Sequence, residues 1–232
     1  MNEIQQDTPS ILNHNPIKVD SHGYVRYLEH MGSDTSIVGS ARTSYNSPSK
    51  GEEADRKLLN YLFRNKHTSP FEMAKVKFEI KMPIFVQRQF IRHRMQNFNE
   101  VSARYTELPN EFFVPDTFRA QGGANKQGSV ESAELDQQYC RTTTQKAYTA
   151  AWAAYHDLLS AGVAREQARM VLPVGIYTKF HTCWDLNNLL KYFMLRDDPH
   201  AQGEHQEYAK AMKAITKELF PWSMDVYEEL RK

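Results

Sequence analysis

Over residues 74–82 the chain alternates without a break: Val76, Phe78, Ile80 and Met82 fall on one side, Lys75, Lys77, Glu79 and Lys81 on the other. Successive side chains of a strand point to opposite faces, so this period of two dictates a strand with one core face and one wet face. Pro83 follows at once and suits the first turn of a helix, where its missing N–H would be unpaired anyway. The run "PIFVQRQFIRHR" then predicts a helix to about Arg94.

Other elements follow from weaker patterns. Residues 18–31 read as a strand turned near Gly23, and 35–45 as a short helix. Ala54, Leu58, Leu59, Leu62 and Phe63 recur at helical spacing and predict an amphipathic helix over 52–65. Beyond the signature helix, the chain is non-helical from Asn97, with a short extended piece at 112–114. The three glycines of "RAQGGANKQGS" mark a flexible loop. A long helix is expected over 131–161 with Gly162 as its cap, then a helix in "AREQARMVLP" stopped before Pro173. Residues 174–184 read as extended, 186–196 as helical and 199–219 as helical again. The first 16 residues are polar and unpatterned, which predicts a loose N-terminal arm.

A chain of 232 residues without a repeat or a rich linker reads as one domain. Its formal charge of +1 gives the whole surface no reason to coat nucleic acid or an anionic membrane, so any anion site must be local. No apolar run approaches the ~20 residues that cross a bilayer. The N-terminal stretch lacks the features of a signal peptide, and the expectation is a cytoplasmic protein. Cys140 and Cys183 are far apart and read as free thiols. The spacings of His67, His181, His200 and His205 match no zinc pattern, and no metal is expected.

One stretch, "RHRMQNFNEVSARY" at 92–105, concentrates polar groups. Gln89, Arg92, His93 and Gln96 would share a helix face, with Arg88 one turn before Arg92 and Arg94 pointing elsewhere. Glu100, Ser102 and Arg104 would alternate along an extended piece and face one side. A solvated basic face with surface ion pairs worth ~0 to 1 kcal/mol is the bland alternative. The combination favours a nucleotide instead: a guanidinium binds phosphate, a serine hydroxyl donates to it, and a glutamate accepts from a sugar hydroxyl or base N–H. With 24 Tyr and Phe, single-stranded nucleic-acid binding by stacking is the runner-up, although most aromatics fall at core periods.

These residues resemble a known family. RHRxxxxNExSxRY is similar to the signature of flavin-dependent thymidylate synthases, and "HTSPFE" at 67–72, "PIFVQRQFIRHR", "AREQARMVLP" and "LRDDPHAQ" resemble further blocks of that family in the same order. The resemblance implies an α+β fold, an antiparallel sheet packed with helices in a single domain over 1–232. It implies a methyltransferase with a reductive step in de novo thymidylate biosynthesis: dTMP from dUMP, with methylenetetrahydrofolate as carbon donor, NADPH as reductant and FAD as carrier. By position, Gln89, Arg92, Glu100, Ser102, Arg104, Arg169 and Arg196 would line the dUMP site. Ser69, Arg92, His93, Arg94, Asn99, Glu100, Lys191 and His200 would surround FAD, with Asp185 and Asn187 near its adenosine end and His67 on the folate side. The family is a homotetramer with shared sites. The chain departs from its pattern at Asn97, Lys191 and Gly203.

Within that implied site, neither cysteine lies in a matching block, which disfavours a thiolate adding to uracil. Ser102 has no obvious base beside it, and an alkoxide is costly near neutral pH, so Ser102 is assigned to binding. Arg196 is the expected catalytic residue: a permanent cation at the uracil N3 and carbonyl edge would favour negative charge there.

Overall fold

The computed structural model describes residues 13–44, 46–122 and 128–231. Its first half runs β1 (Ile17–Lys18), β2 (Tyr24–Met31), α1 (Asp34–Thr43), α2 (Glu52–Arg64), a 3-10 turn at Ser69–Met73, β3 (Lys75–Pro83), α3 (Ile84–Phe90) and β4 (Gln96–Glu100). A hairpin of β5 (Ala120–Gln121) and β6 (Ser129–Val130) precedes the long α4 (Gln137–Ser160). After α5 (Arg165–Ala168) and a 3-10 turn at Arg169–Val171 come β7 (Tyr177–Asp185), α6 (Leu186–Arg196), α7 (Gly203–Leu219) and α8 (Pro221–Glu229).

β1, β2, β3, β7 and β4 form, in that spatial order, one antiparallel sheet. The alternation of β3 works as its sequence requires: Val76, Phe78, Ile80 and Met82 are fully buried and lie opposite Trp184, Thr182, Phe180 and Thr178 of β7. Leu189, Leu190 and Phe193 of α6, with Met212 and Ile215 of α7, belong to the core that covers this face. The other face carries lysines and His181. Glu79 there is largely buried, accepting from Tyr24 and Arg26 and pairing with His181, and the net effect of these partners is to hold its carboxyl below the usual range against the cost of burial.

Several expectations are corrected. Pro83 ends β3 and caps α3, with extended backbone, rather than sitting in the first turn. α3 stops at Phe90, four residues before Arg94. The Gln96 amide donates to the carbonyls of Phe90 and His93, closing the turn, and residues 96–100 then pair with β7. Sheet pairing outcompetes helix continuation here, so Arg92, His93 and Gln96 share no helix face with Gln89. Nor does the extended run reach Arg104: Ser102 begins a turn in which its carbonyl accepts from the Tyr105 and Thr106 amides.

α4 begins at Gln137 and not at 131, the Asp136 side chain capping it by accepting from the Tyr139 amide. The 165–171 segment splits into α5 and a 3-10 turn. α7 starts at Gly203, not at 199, and α8 was not anticipated; Asp34 of α1 caps it by accepting from the Trp222 and Ser223 amides. Residues 1–12 of the expected loose arm, Tyr45 at the end of the expected first helix, and 123–127 of the expected flexible loop lie outside the described residues. His14 stacks on Tyr27. No helix among the described residues is long and apolar enough to cross a membrane.

Candidate active site

At the Trp184 end of β7, the loop between α3 and β4 meets the end of α6. Arg196 Nε donates to His93 Nε2 at 2.9 Å. His93 packs edge-on against buried Tyr192, with ring centroids 4.9 Å apart, and beside Trp184. Burial first and the Arg196 charge second push its imidazole down to about 4, so it is neutral near pH 7 and its Nε2 lone pair is available to accept. Behind it, His205 is fully buried with Nε2 at 3.0 Å from the Tyr192 hydroxyl. This pairing commits one nitrogen of the Arg196 guanidinium and fixes the plane of the others.

At the Thr178 end of the same strand, a cleft of about 330 Å³ gathers Glu100, Ser102, Arg104, Arg169 and Thr178. Four of the seven residues expected around dUMP thus meet in one place. Arg104 pairs with Glu166 at 3.3 Å, with both side chains 54% exposed, and Arg169 Nε bonds the Glu166 carbonyl at 3.4 Å.

The remaining candidates lie elsewhere. His67, Asn187 and Lys191 line a cleft of about 700 Å³ with Leu62, Phe71 and Met194. Ser69 is exposed in the neighbouring 3-10 turn. Asn187 donates to Glu72, and Asp185 is spent as the cap of α6, accepting from the Asn188 amide at 2.9 Å. Gln89 and His200 line a larger cleft with Tyr148 and the β5–β6 hairpin, and His200 also contacts Asp198. Asn99 and Glu100 are neighbours on β4 and point to opposite faces of the sheet. Neither cysteine lines any of these clefts.

Two features stand out. Among the described residues, the arginines without a carboxylate partner are Arg88, Arg92, Arg94, Arg141, Arg169 and Arg196, and four of these six belong to the expected site. Guanidiniums left without carboxylates are available to a ligand's anions. Second, Thr178 and Trp184 are six residues apart on β7, about 20 Å at a strand's rise. Arg196, held on His93 beside Trp184, and the Arg104–Arg169 cleft beside Thr178 thus lie toward opposite ends of this strand.

Sequence reasoning missed Gln87 and Thr178, which both bond Glu100. A buried glutamine and threonine carry no chemical signature; the only available hint was a polar residue at each of two core positions.

Known proteins resemble this chain over most of its length. The family model described as thymidylate synthase complementing protein matches residues 26–222. A flavin-dependent thymidylate synthase of Thermus thermophilus is 46% identical over 213 residues, 92% of this chain and 78% of that one. One from Ehrlichia ruminantium is 42% identical over 215 residues, covering 91% and 72%. Among solved structures, the UMP/dUMP methylase PolB of Streptomyces cacaoi bound with 5-Br UMP superposes with a TM-score of 0.82 at 32% identity, covering 90% of this chain and 95% of that one.

Proposed function

The chain belongs to the flavin-dependent thymidylate synthases, and from that premise we propose that it methylates dUMP to dTMP with bound FAD, methylenetetrahydrofolate as carbon donor and NADPH as reductant, in sites shared between the subunits of a homotetramer. The observation that carries this reading is the set of motif arginines, Arg92, Arg94, Arg169 and Arg196, that have no carboxylate partner among the described residues. The placement of Arg196 and of the Arg104–Arg169 cleft toward opposite ends of β7, ~20 Å apart along the strand, is what supports sharing. α4 offers a surface for assembly: of its 24 residues only Tyr155 is buried, and Ala147, Ala150 and Ala153 are exposed small residues that allow close helix approach.

FAD needs apolar surface for its rings and cations for its diphosphate. The cleft of Leu62, Phe71, Leu190 and Met194, rimmed by Lys66, His67 and Lys191, and the unpaired Arg92 and Arg94 meet both needs. Ser69, Arg92, His93, Arg94, Asn99, Glu100, Lys191 and His200 would hold the cofactor, with Asp185 and Asn187 toward its adenosine and His67 toward the folate. When bound, the flavin supplies the carrier chemistry for the one-carbon unit and the hydride.

The chain's own residues do the rest. Arg104 and Arg169 take the nucleotide phosphate, Ser102 donates to it, and Glu100 accepts from a sugar hydroxyl or base N–H; Gln89 and Arg92 complete the pocket from another subunit. Arg196 faces the uracil N3 and carbonyl edge. Because His93 is neutral and already holds Nε, the terminal nitrogens of Arg196 keep a fixed direction and stabilise negative charge as C5 becomes nucleophilic. No thiolate is needed, in keeping with the place of both cysteines outside the clefts.

The test is reconstitution. Purified protein should show flavin absorbance and form dTMP only when dUMP, methylenetetrahydrofolate and NADPH are all present. Flavin-free protein that neither takes up FAD nor forms dTMP would overturn the reading.

A further inference from the structure

Glu100 is the last residue of β4, and its carboxylate is gripped from behind by two other elements. Gln87 of α3 donates from Nε2 to Oε2 at 3.0 Å, and Thr178 of β7 donates from Oγ1 to Oε1 at 2.5 Å. Gln87 and Thr178 are 5% and 3% exposed, whereas Glu100 itself is exposed on the cleft that holds Ser102, Arg104 and Arg169. No cation pairs with Glu100 among the described residues; both backing groups are neutral.

A purely structural role predicts something else at these positions. Burying an amide and a hydroxyl costs free energy that an apolar pair of similar shape would not incur. The neutral donors also leave the negative charge uncancelled, where a guanidinium would have quenched it. Each carboxylate oxygen can accept two hydrogen bonds, and the braces take one apiece. What remains is a rigid acceptor, next to cationic donors that favour phosphate, and it selects a part of the ligand that carries an O–H or N–H.

We infer that Gln87 and Thr178 are positioning residues for substrate binding, fixing Glu100 as the acceptor for a donor group of the nucleotide. This rests on the proposed assignment of Glu100 to the dUMP pocket. Holding a charged acceptor in place from three elements lowers the cost of ordering it when substrate arrives. Loss of one brace frees the carboxylate to turn toward Arg104 or Arg169, where it would compete with the phosphate.

The experiment is a double-mutant cycle on the FAD-loaded enzyme, read as the dUMP dissociation constant by calorimetry, with melting temperature and flavin content alongside. Thr178→Val should weaken dUMP about ten- to a hundredfold, as expected for a lost bond to a charged group, while flavin content stays near wild type. Thr178→Ser should restore most of the affinity. In a Glu100→Ala background, Thr178→Val should add little, because its effect passes through Glu100. Gln87→Met provides a second brace variant, with the same pattern expected, should Thr178→Val fold poorly. Additive penalties, or a lowered melting temperature with dUMP affinity intact, overturn the inference. A Glu100→Ala enzyme that binds dUMP like wild type overturns the assignment of Glu100 itself, a separate failure recognised from the single variant alone.

Discussion

The two ends of β7 hold their arginines in opposite ways. At the Trp184 end, Arg196 rests on a neutral histidine inside an aromatic enclosure of Tyr192 and Trp184, with no carboxylate partner among the described residues. At the Thr178 end, Arg104 sits in an exposed pair with Glu166, and Arg169 touches the Glu166 carbonyl. The first arrangement fixes a direction; the second stores a charge at low cost, since an exposed ion pair is worth only ~0 to 1 kcal/mol and yields to a better anion. Direction matters where charge develops during reaction, and charge alone suffices where a phosphate is merely held.

The sharpest way to break this contrast is Arg196→Lys. An ammonium cannot keep the bond to His93 and still present parallel donors. Single-turnover dTMP formation at saturating dUMP should fall about a hundred- to a thousandfold, the range for losing one aimed donor, with the melting temperature little changed. A variant as fast as wild type would make Arg196 a structural helix-end cation worth ~0.3 to 1 kcal/mol. At the other end, Arg104→Ala should weaken dUMP about ten- to a hundredfold and FAD much less, measured by titrating each ligand; equal losses would erase the division between nucleotide and cofactor contacts.

A smaller effect concerns acid. The imidazole of His93 is pushed down to about 4 and that of His205 to about 3, from 6.5 for a free side chain. Below pH 6.5 the unfolded chain therefore binds protons that the folded chain refuses, so stability present at neutral pH is lost progressively as the pH falls from about 6.5 toward about 4 for His93 and about 3 for His205. Thermal melts at pH 7 and 5 should show the drop, and His93→Gln should shrink it. An unchanged slope would mean that His93 is not buried neutral against Arg196. The smallest effect is expected from replacing Cys140 and Cys183 together by Ser, because neither thiol lines any of the three clefts described above. Turnover should stay near wild type; its loss in a folded, flavin-loaded double variant would return a thiolate to the mechanism.

How much of this was legible in the sequence varies with how local the cause is. The alternation of β3 and the helix Leu186–Arg196 follow from patterns contained in the segments themselves. The end of α3 at Phe90 does not, because it depends on pairing of residues 96–100 with a strand some eighty residues away. α8 is capped by Asp34 from the opposite end of the chain, and no local signal announces that. The arginines of the proposed site come from motif resemblance and residue chemistry. Their distribution over opposite ends of β7 was not, since spacing along the chain says nothing of spacing across a sheet. The brace on Glu100 joins three segments through side chains too ordinary to be noticed singly.

The central claim is that one chain's Arg196 works with another chain's Arg169 cleft. Co-expressing an Arg196→Lys chain with an Arg169→Ala chain tests it most directly. Each variant alone should be nearly inactive, and mixed oligomers purified through tags on both chains should recover a measurable fraction of wild-type turnover, because some sites then receive neither lesion. Mixed oligomers as inactive as either parent would contradict the account and require each chain to supply both arginines to its own site.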